Sequence, residues 1–100
     1  MSKCKITVVK RTFNEDIAKE YCSRPEICSM FTEGEEFLLD TSQKPPGFCD
    51  GAWAGISLYV FAFIHGGGGF YKDWMKDERT MIACCNDGVR PVIFKLERID

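Results

Sequence analysis

From Cys4 to Lys10 the chain alternates, with Cys4, Ile6 and Val8 on one face and Lys5, Thr7 and Val9 on the other, which predicts a strand with one face on a core. Thr12-Phe13-Asn14-Glu15 follows with the S/T-x-x-E spacing of a capping box, in which Thr12 accepts from the Glu15 amide and Glu15 reaches back. Ile17, Ala18 and Tyr21 then recur at helical spacing, so a short helix is expected to about Cys22, and Pro25 prevents its smooth continuation. Glu35 to Asp40 reads as a second strand, entered through Gly34 and left through the loop chemistry of Thr41-Ser42-Gln43-Lys44-Pro45-Pro46-Gly47.

The pattern changes at Gly51. From there to His65 the period predicts the main helix, with Asp50 as N-cap and the glycines from Gly66 as its stop. Ala52, Trp53, Ala54, Ile56, Leu58, Tyr59, Val60, Phe61, Ala62, Phe63 and Ile64 make it apolar nearly all the way round, so one sheet face cannot cover it. It is shorter than the roughly 20 apolar residues a bilayer span needs, so no membrane is expected and a homo-oligomer sharing this helix is. Gly66 to Gly69 follow a helix instead of joining a strand to one, which favours a connector over a phosphate cradle. Phe70, Tyr71, Trp74 and Met75 form a second aromatic cluster, expected as a short turn or half-helix packed on the core.

Thr80 to Cys85 and Val89 to Ile99 read as two strands around Asn86-Asp87-Gly88, and Asp-Gly is a strong hairpin signal. A two-residue turn at Asp87-Gly88 sets Cys85 opposite Arg90, Cys84 opposite Pro91, Ala83 opposite Val92 and Met81 opposite Phe94, with Cys84 and Cys85 on opposite faces. Pro91 cannot donate to a ladder and belongs on an edge or beside an irregularity. The whole is expected to be a single small α+β domain over 1–100, ordered β-α-β-α-β-β, with a C-terminal β-hairpin and one apolar central helix packed on the sheet.

Composition narrows the function classes. At 100 residues the chain has room for one domain, and with 45% hydrophobic and 28% charged residues it can build a core without disulfides. A net charge of −2 and no basic cluster beyond Lys10-Arg11 exclude nucleic acid as the expected partner. Lys3, Lys5 and Lys10 interrupt the N-terminal apolar positions, so no export signal is read there and a cytoplasmic protein is expected.

In that compartment the six cysteines, Cys4, Cys22, Cys28, Cys49, Cys84 and Cys85, are thiols, and for any one of them burial as a small hydrophobe is the plainer reading. Cys49 is the first candidate for chemistry, because orphan amides and the helix dipole at the start of the main helix favour a thiolate. Cys85 is second, through cross-strand Arg90. Cys22-x5-Cys28 is not a zinc-finger or iron-sulfur spacing, yet a loop folding back can gather Cys22, Cys28, Cys49 and Cys85 into a thiolate set suited to zinc or an iron-sulfur cluster. His65, the single histidine, is a candidate metal ligand or proton carrier, although at a helix C-terminus it more often satisfies the last carbonyls. A pocket between helix and hairpin would have Trp53, Trp74 and Arg90 around it, beside His65. No Gly-x-Ser-x-Gly elbow is present, and the acidic groups at Glu33, Glu35, Glu36 and at Asp73, Asp77, Glu78 read as solvated faces.

Lys5-Ile6-Thr7-Val8-Val9-Lys10-Arg11, Gly47-Phe48-Cys49 through Ala54, and above all Trp74-Met75-Lys76-Asp77-Glu78 through Ile82-Ala83-Cys84-Cys85-Asn86-Asp87-Gly88-Val89-Arg90-Pro91-Val92 resemble a family of small, uncharacterised, cysteine-containing proteins found mostly in anaerobic bacteria and archaea. The resemblance covers nearly the whole chain and implies a single α+β domain of a reducing cytoplasm, with no activity and no catalytic residue to carry over. Two function classes follow: a cytosolic thiol or metal-site protein using clustered cysteines, or a non-catalytic oligomeric binding or assembly module whose cysteines are core residues.

Overall fold

The computed structural model describes residues 2–71 and 73–100. The elements run β1 (Lys3–Arg11), α1 (Glu15–Tyr21), β2 (Glu36–Leu39), α2 (Asp50–Ile64), β3 (Thr80–Cys84) and β4 (Val92–Ile99), an α+β domain in the expected order. The strands form one antiparallel sheet of order β2-β1-β4-β3, so the first and last strands lie side by side at its centre. Their pairing extends from Lys3 opposite Ile99 to Arg11 opposite Val92, with an irregularity between Val8 and Lys10.

The alternation in β1 holds: Cys4, Ile6 and Val8 are buried, together with Met81, Val92, Phe94 and Leu96 of the neighbouring strands. Onto this face α2 lays Ala52, Ile56, Val60, Phe63 and Ile64, spaced as one side of a helix. Each large apolar side chain fully removed from water there contributes about 1.5–3 kcal/mol before conformational entropy is subtracted. The helix can come close because residue 55 is glycine: a methyl group there would run into the Cys84 carbonyl. At its C-terminus the Gly67 amide donates to Ala62 O (2.7 Å) and the Gly66 amide to Phe63 O (3.0 Å), a Schellman stop with Gly66 at φ +83°. Arg98 Nη1 donates to the Gly66 and Gly67 carbonyls from the end of β4. The glycine run is therefore a helix stop and connector.

Three local expectations are corrected. The capping box does not form: Thr12 Oγ1 donates to the Pro91 carbonyl (2.6 Å), and α1 begins only at Glu15, after Asn14, with no side-chain cap bond. Asp50 is the first residue inside α2 and pairs with Lys44, while Cys49 takes the N-cap position. The hairpin is two residues wider than a two-residue turn allows, with Met81 opposite Leu96, Ala83 opposite Phe94 and Cys84 opposite Ile93. Its cause is Asp87, whose Oδ1 accepts from the Val89 (2.8 Å) and Arg90 (2.9 Å) amides and folds residues 85–91 into a loop. A shift of two leaves every side chain on its expected face. Pro91 lies just before β4, outside the ladder, as its missing donor requires.

Candidate thiol site

The start of α2, the end of β3 and the irregular segment 22–35 come together at one end of the sheet. Residues 12–14 tie the exit of β1 to the hairpin loop there: the Thr12 amide donates to Pro91 O (2.8 Å), the Asn14 amide to Val89 O (2.8 Å) and Asn14 Nδ2 to Gly88 O (2.7 Å). Strand β1 therefore leaves the sheet stitched to the hairpin loop, and the chain after α1 must pass beside Arg90.

Cys28, Cys49 and Cys85 line one cavity of about 120 Å³ at this junction, with Phe31, Ala52 and Val92 as its apolar wall and Asn86, Asp87 and Arg90 as its polar side. Cys49 is seated by its neighbour Phe48, whose buried ring lies 5.1 Å from Phe31 and Phe37, 5.8 Å from Trp53 and 6.0 Å from Phe94. Cys85 is fixed by the close approach of α2: the Asn86 amide donates to Gly51 O (3.2 Å) and the Cys85 amide to Val92 O (3.2 Å). Cys28 is held through its carbonyl, which accepts from Arg11 Nη1 (3.2 Å). Two of the three sulfurs also receive backbone amides, Cys28 Sγ from Met30 (3.4 Å) and Cys85 Sγ from Val92 (3.3 Å). Such donors are what a sulfur carrying negative charge, or ligating a metal, is given in proteins.

Arg90 stands at the edge of the cavity, but it does not pair with Cys85 across the hairpin as the two-residue turn implied. Its Nε donates to Asp87 Oδ2 at 3.1 Å, an ion pair inside the loop. The Arg90 amide, more than any other group, holds the Asp87 carboxyl below its ordinary value, and the bond to Asp87 raises Arg90 above its own, with Cys28 and Cys22 adding smaller electrostatic support. The Asp87–Arg90 pair also walls a second cavity of about 400 Å³, lined by Cys22, Ser23, Arg24 and Val89. Four of the candidate cysteines thus lie around one ion pair, three on one side and Cys22 on the other.

The other two cysteines, which were not candidates, and the remaining candidates lie elsewhere. Cys4 is fully buried, and burial pushes its thiol up to about 12. Cys84 is exposed on the face of the sheet away from α2. His65 caps α2 at the end opposite Cys49, roughly 24 Å away at the rise of an α-helix. There its Nδ1 lies 2.8 Å from Phe61 O and its ring stacks on Phe61 at 4.3 Å, so the helix itself keeps it from the cysteines. Trp53 is half-buried against Phe48, and Trp74, 80% exposed in the connector after α2, lines neither of the two cavities described above that Arg90 borders. Among the described residues no group of three or more His, Cys, Asp or Glu side chains is placed to hold a metal ion, so the thiols surround a space without converging on one point. All six are free. Asp87 and Arg24 were missed from the sequence: Asp87-Gly88 reads first as a turn, and only the spacing Asp87-x-x-Arg90 hints at a pair.

No protein-family model, no curated protein and no solved structure matches the chain.

Proposed function

We propose that this is a thiol-site protein of a reducing compartment, whose Cys28, Cys49 and Cys85 form the reactive centre. One observation carries the reading: half of the cysteines in the chain line a single small cavity with an arginine at its edge. Chance burial of cysteines as small hydrophobes spreads them through the core, as it does Cys4. The cavity cysteines are instead partly accessible, and two of them accept amide N–H groups. The test is a native thiol titration with metal analysis on protein purified without oxygen. Fast alkylation at Cys28, Cys49 and Cys85 supports a reactive centre. Stoichiometric zinc or iron, lost in Cys28→Ser, Cys49→Ser and Cys85→Ser alike, would make the same thiols a metal centre closed by movement of the Cys28 loop. Slow alkylation of all three with no metal refutes the reading.

A second reading, an assembly module formed by copies of this chain, rests on the outer side of α2. Ala54, Leu58 and Phe61 form an exposed stripe there, Leu58 being 81% and Phe61 53% accessible, and α2 has no charged residue after Asp50. Sedimentation of the native protein as a dimer that Leu58→Glu converts to monomer would support it, and a monomeric native protein would end it.

A further inference from the structure

Cys22 sits beside the thiol centre without being part of it, and its surroundings differ from those of the other cysteines. The cavity it lines is more than three times larger than its neighbour, and it carries Arg24 and Arg90 with Asp87 as the single opposing charge. Nε of Arg90 is taken by Asp87, and its two terminal nitrogens have no hydrogen-bond partner among the described residues. In a chain with net charge −2, two guanidinium groups around one cavity select for anions, and the planar guanidinium suits a carboxylate.

We propose that this outer cavity takes a small disulfide bearing carboxylates, and that Cys22 and Cys28 reduce it as a pair. This rests on the reading of Cys28 as a reactive thiol and goes beyond it, adding Cys22 as its partner and a substrate class for the pair. Arg24 and Arg90 hold the carboxylates, which presents the ligand's sulfur atoms to Cys22. Cys22 Sγ, having lost its proton to water, attacks one sulfur. The ligand's S–S bond breaks, and its other half leaves as a thiolate that takes a proton from water. Cys28 Sγ, also deprotonated, then attacks Cys22 Sγ. A Cys22–Cys28 bond forms, the mixed disulfide breaks, and the second half leaves as a thiol. Two electrons pass from the two cysteines to the ligand: one disulfide enters, two thiols leave, and one protein disulfide remains.

The chain between the two cysteines suits that closure. Cys22 caps α1 in extended backbone, and residues 22–35 belong to no helix or strand, so Cys28 moves towards Cys22 by giving up the Arg11 bond to its carbonyl and the Met30 amide at its sulfur, without breaking a ladder. Ser23-Arg24-Pro25-Glu26-Ile27 already turns, the Glu26 amide donating to Arg24 O at 2.9 Å. Cys49 and Cys85, fixed by α2 and β4, have no such freedom and remain thiols.

The experiment compares single-turnover oxidation of the fully reduced protein by glutathione disulfide and by the uncharged bis(2-hydroxyethyl) disulfide. With glutathione disulfide the wild-type protein is expected to lose two hydrogens and to yield a Cys22–Cys28 cross-linked peptide, whereas Cys28→Ser traps one glutathionyl group on Cys22. Arg24→Gln, at an exposed position that the fold does not need, is expected to slow the reaction with glutathione disulfide about tenfold, the loss of one charge-assisted contact, and to leave the uncharged disulfide unaffected. Equal rates of Arg24→Gln and wild type with glutathione disulfide, or a first adduct on Cys49 or Cys85, overturn the proposal. Fast alkylation of Cys28, Cys49 and Cys85 with no exchange at Cys22 overturns it alone, whereas inertness of all four thiols removes the thiol centre as well.

Discussion

At the residue scale the thiols separate by environment. Cys4 faces α2 from the centre of the sheet, where no water can solvate a thiolate, and burial raises it from 9.0 to about 12. Because the folded state holds its proton more tightly than the unfolded state, the stability linked to Cys4 is complete below about 9 and is lost as pH rises from there towards about 12. Denaturant titrations at rising alkaline pH are expected to show that loss, to show less of it in Cys4→Ala against that variant's own lower baseline, and to find Cys4 alkylated only after unfolding. Asp87 behaves in the opposite sense. Amides of Arg90 and Val89 and the Arg90 side chain keep its carboxyl below its ordinary 3.8, so its contribution is present above that value and fades as pH falls through the lower folded one. Asp87→Ala leaves those amides without their acceptor and is expected to cost about 1–2 kcal/mol in chemical denaturation, flattening the acid limb of the stability profile. Burial of Cys4 was readable from alternation alone. The partner of Arg90 was not, because a carboxylate three residues away outcompetes a thiol across the hairpin once the loop widens.

At the element scale, periodicity located each helix and strand to within a few residues, whereas ends and registers depended on contacts from elsewhere in the chain. Thr12 has the spacing of a capping residue, yet its hydroxyl goes to Pro91 because β1 lies against β4. The turn signal at Asp87-Gly88 was real, but Asp87 uses it for an Asx loop and not for a two-residue reversal. The main helix shows the same division: its apolar composition was plain, whereas which side would meet the sheet depended on Gly55, the point of closest approach to β3. Gly55→Ala must push α2 off the Cys84 carbonyl, and a cost of about 1–3 kcal/mol is expected despite the better helix propensity of alanine. A thermal melt raised by this substitution would show that the helix does not press on β3 there.

At the scale of the whole molecule, the thiol cavity is a consequence of strand order. Cys28, Cys49 and Cys85 are far apart in the chain, and none of their spacings marks a site. They meet because β1 and β4 pair at the centre of the sheet, which brings the exit of β1, the hairpin loop and the start of α2 to one end. No property of the separate segments encodes that arrangement, and so the sequence could nominate Cys22, Cys28, Cys49 and Cys85 as a set but could neither place Cys22 on a cavity of its own nor separate the set from His65. Phe48 joins the layers at that end, its ring lodged among Phe31 of the Cys28 segment, Phe37 of β2, Phe94 of β4 and Trp53 of α2. Phe48→Leu keeps an apolar side chain there but removes the ring edges that fix the start of α2, at an expected cost of about 1–3 kcal/mol. If Cys49 is held in place by that packing, its alkylation rate in Phe48→Leu should approach that of a free cysteine, with Cys22 across the Asp87–Arg90 pair unchanged. Equal shifts at Cys22 and Cys49 would mean that the variant loosens the whole domain and that Phe48 does not seat Cys49 in particular.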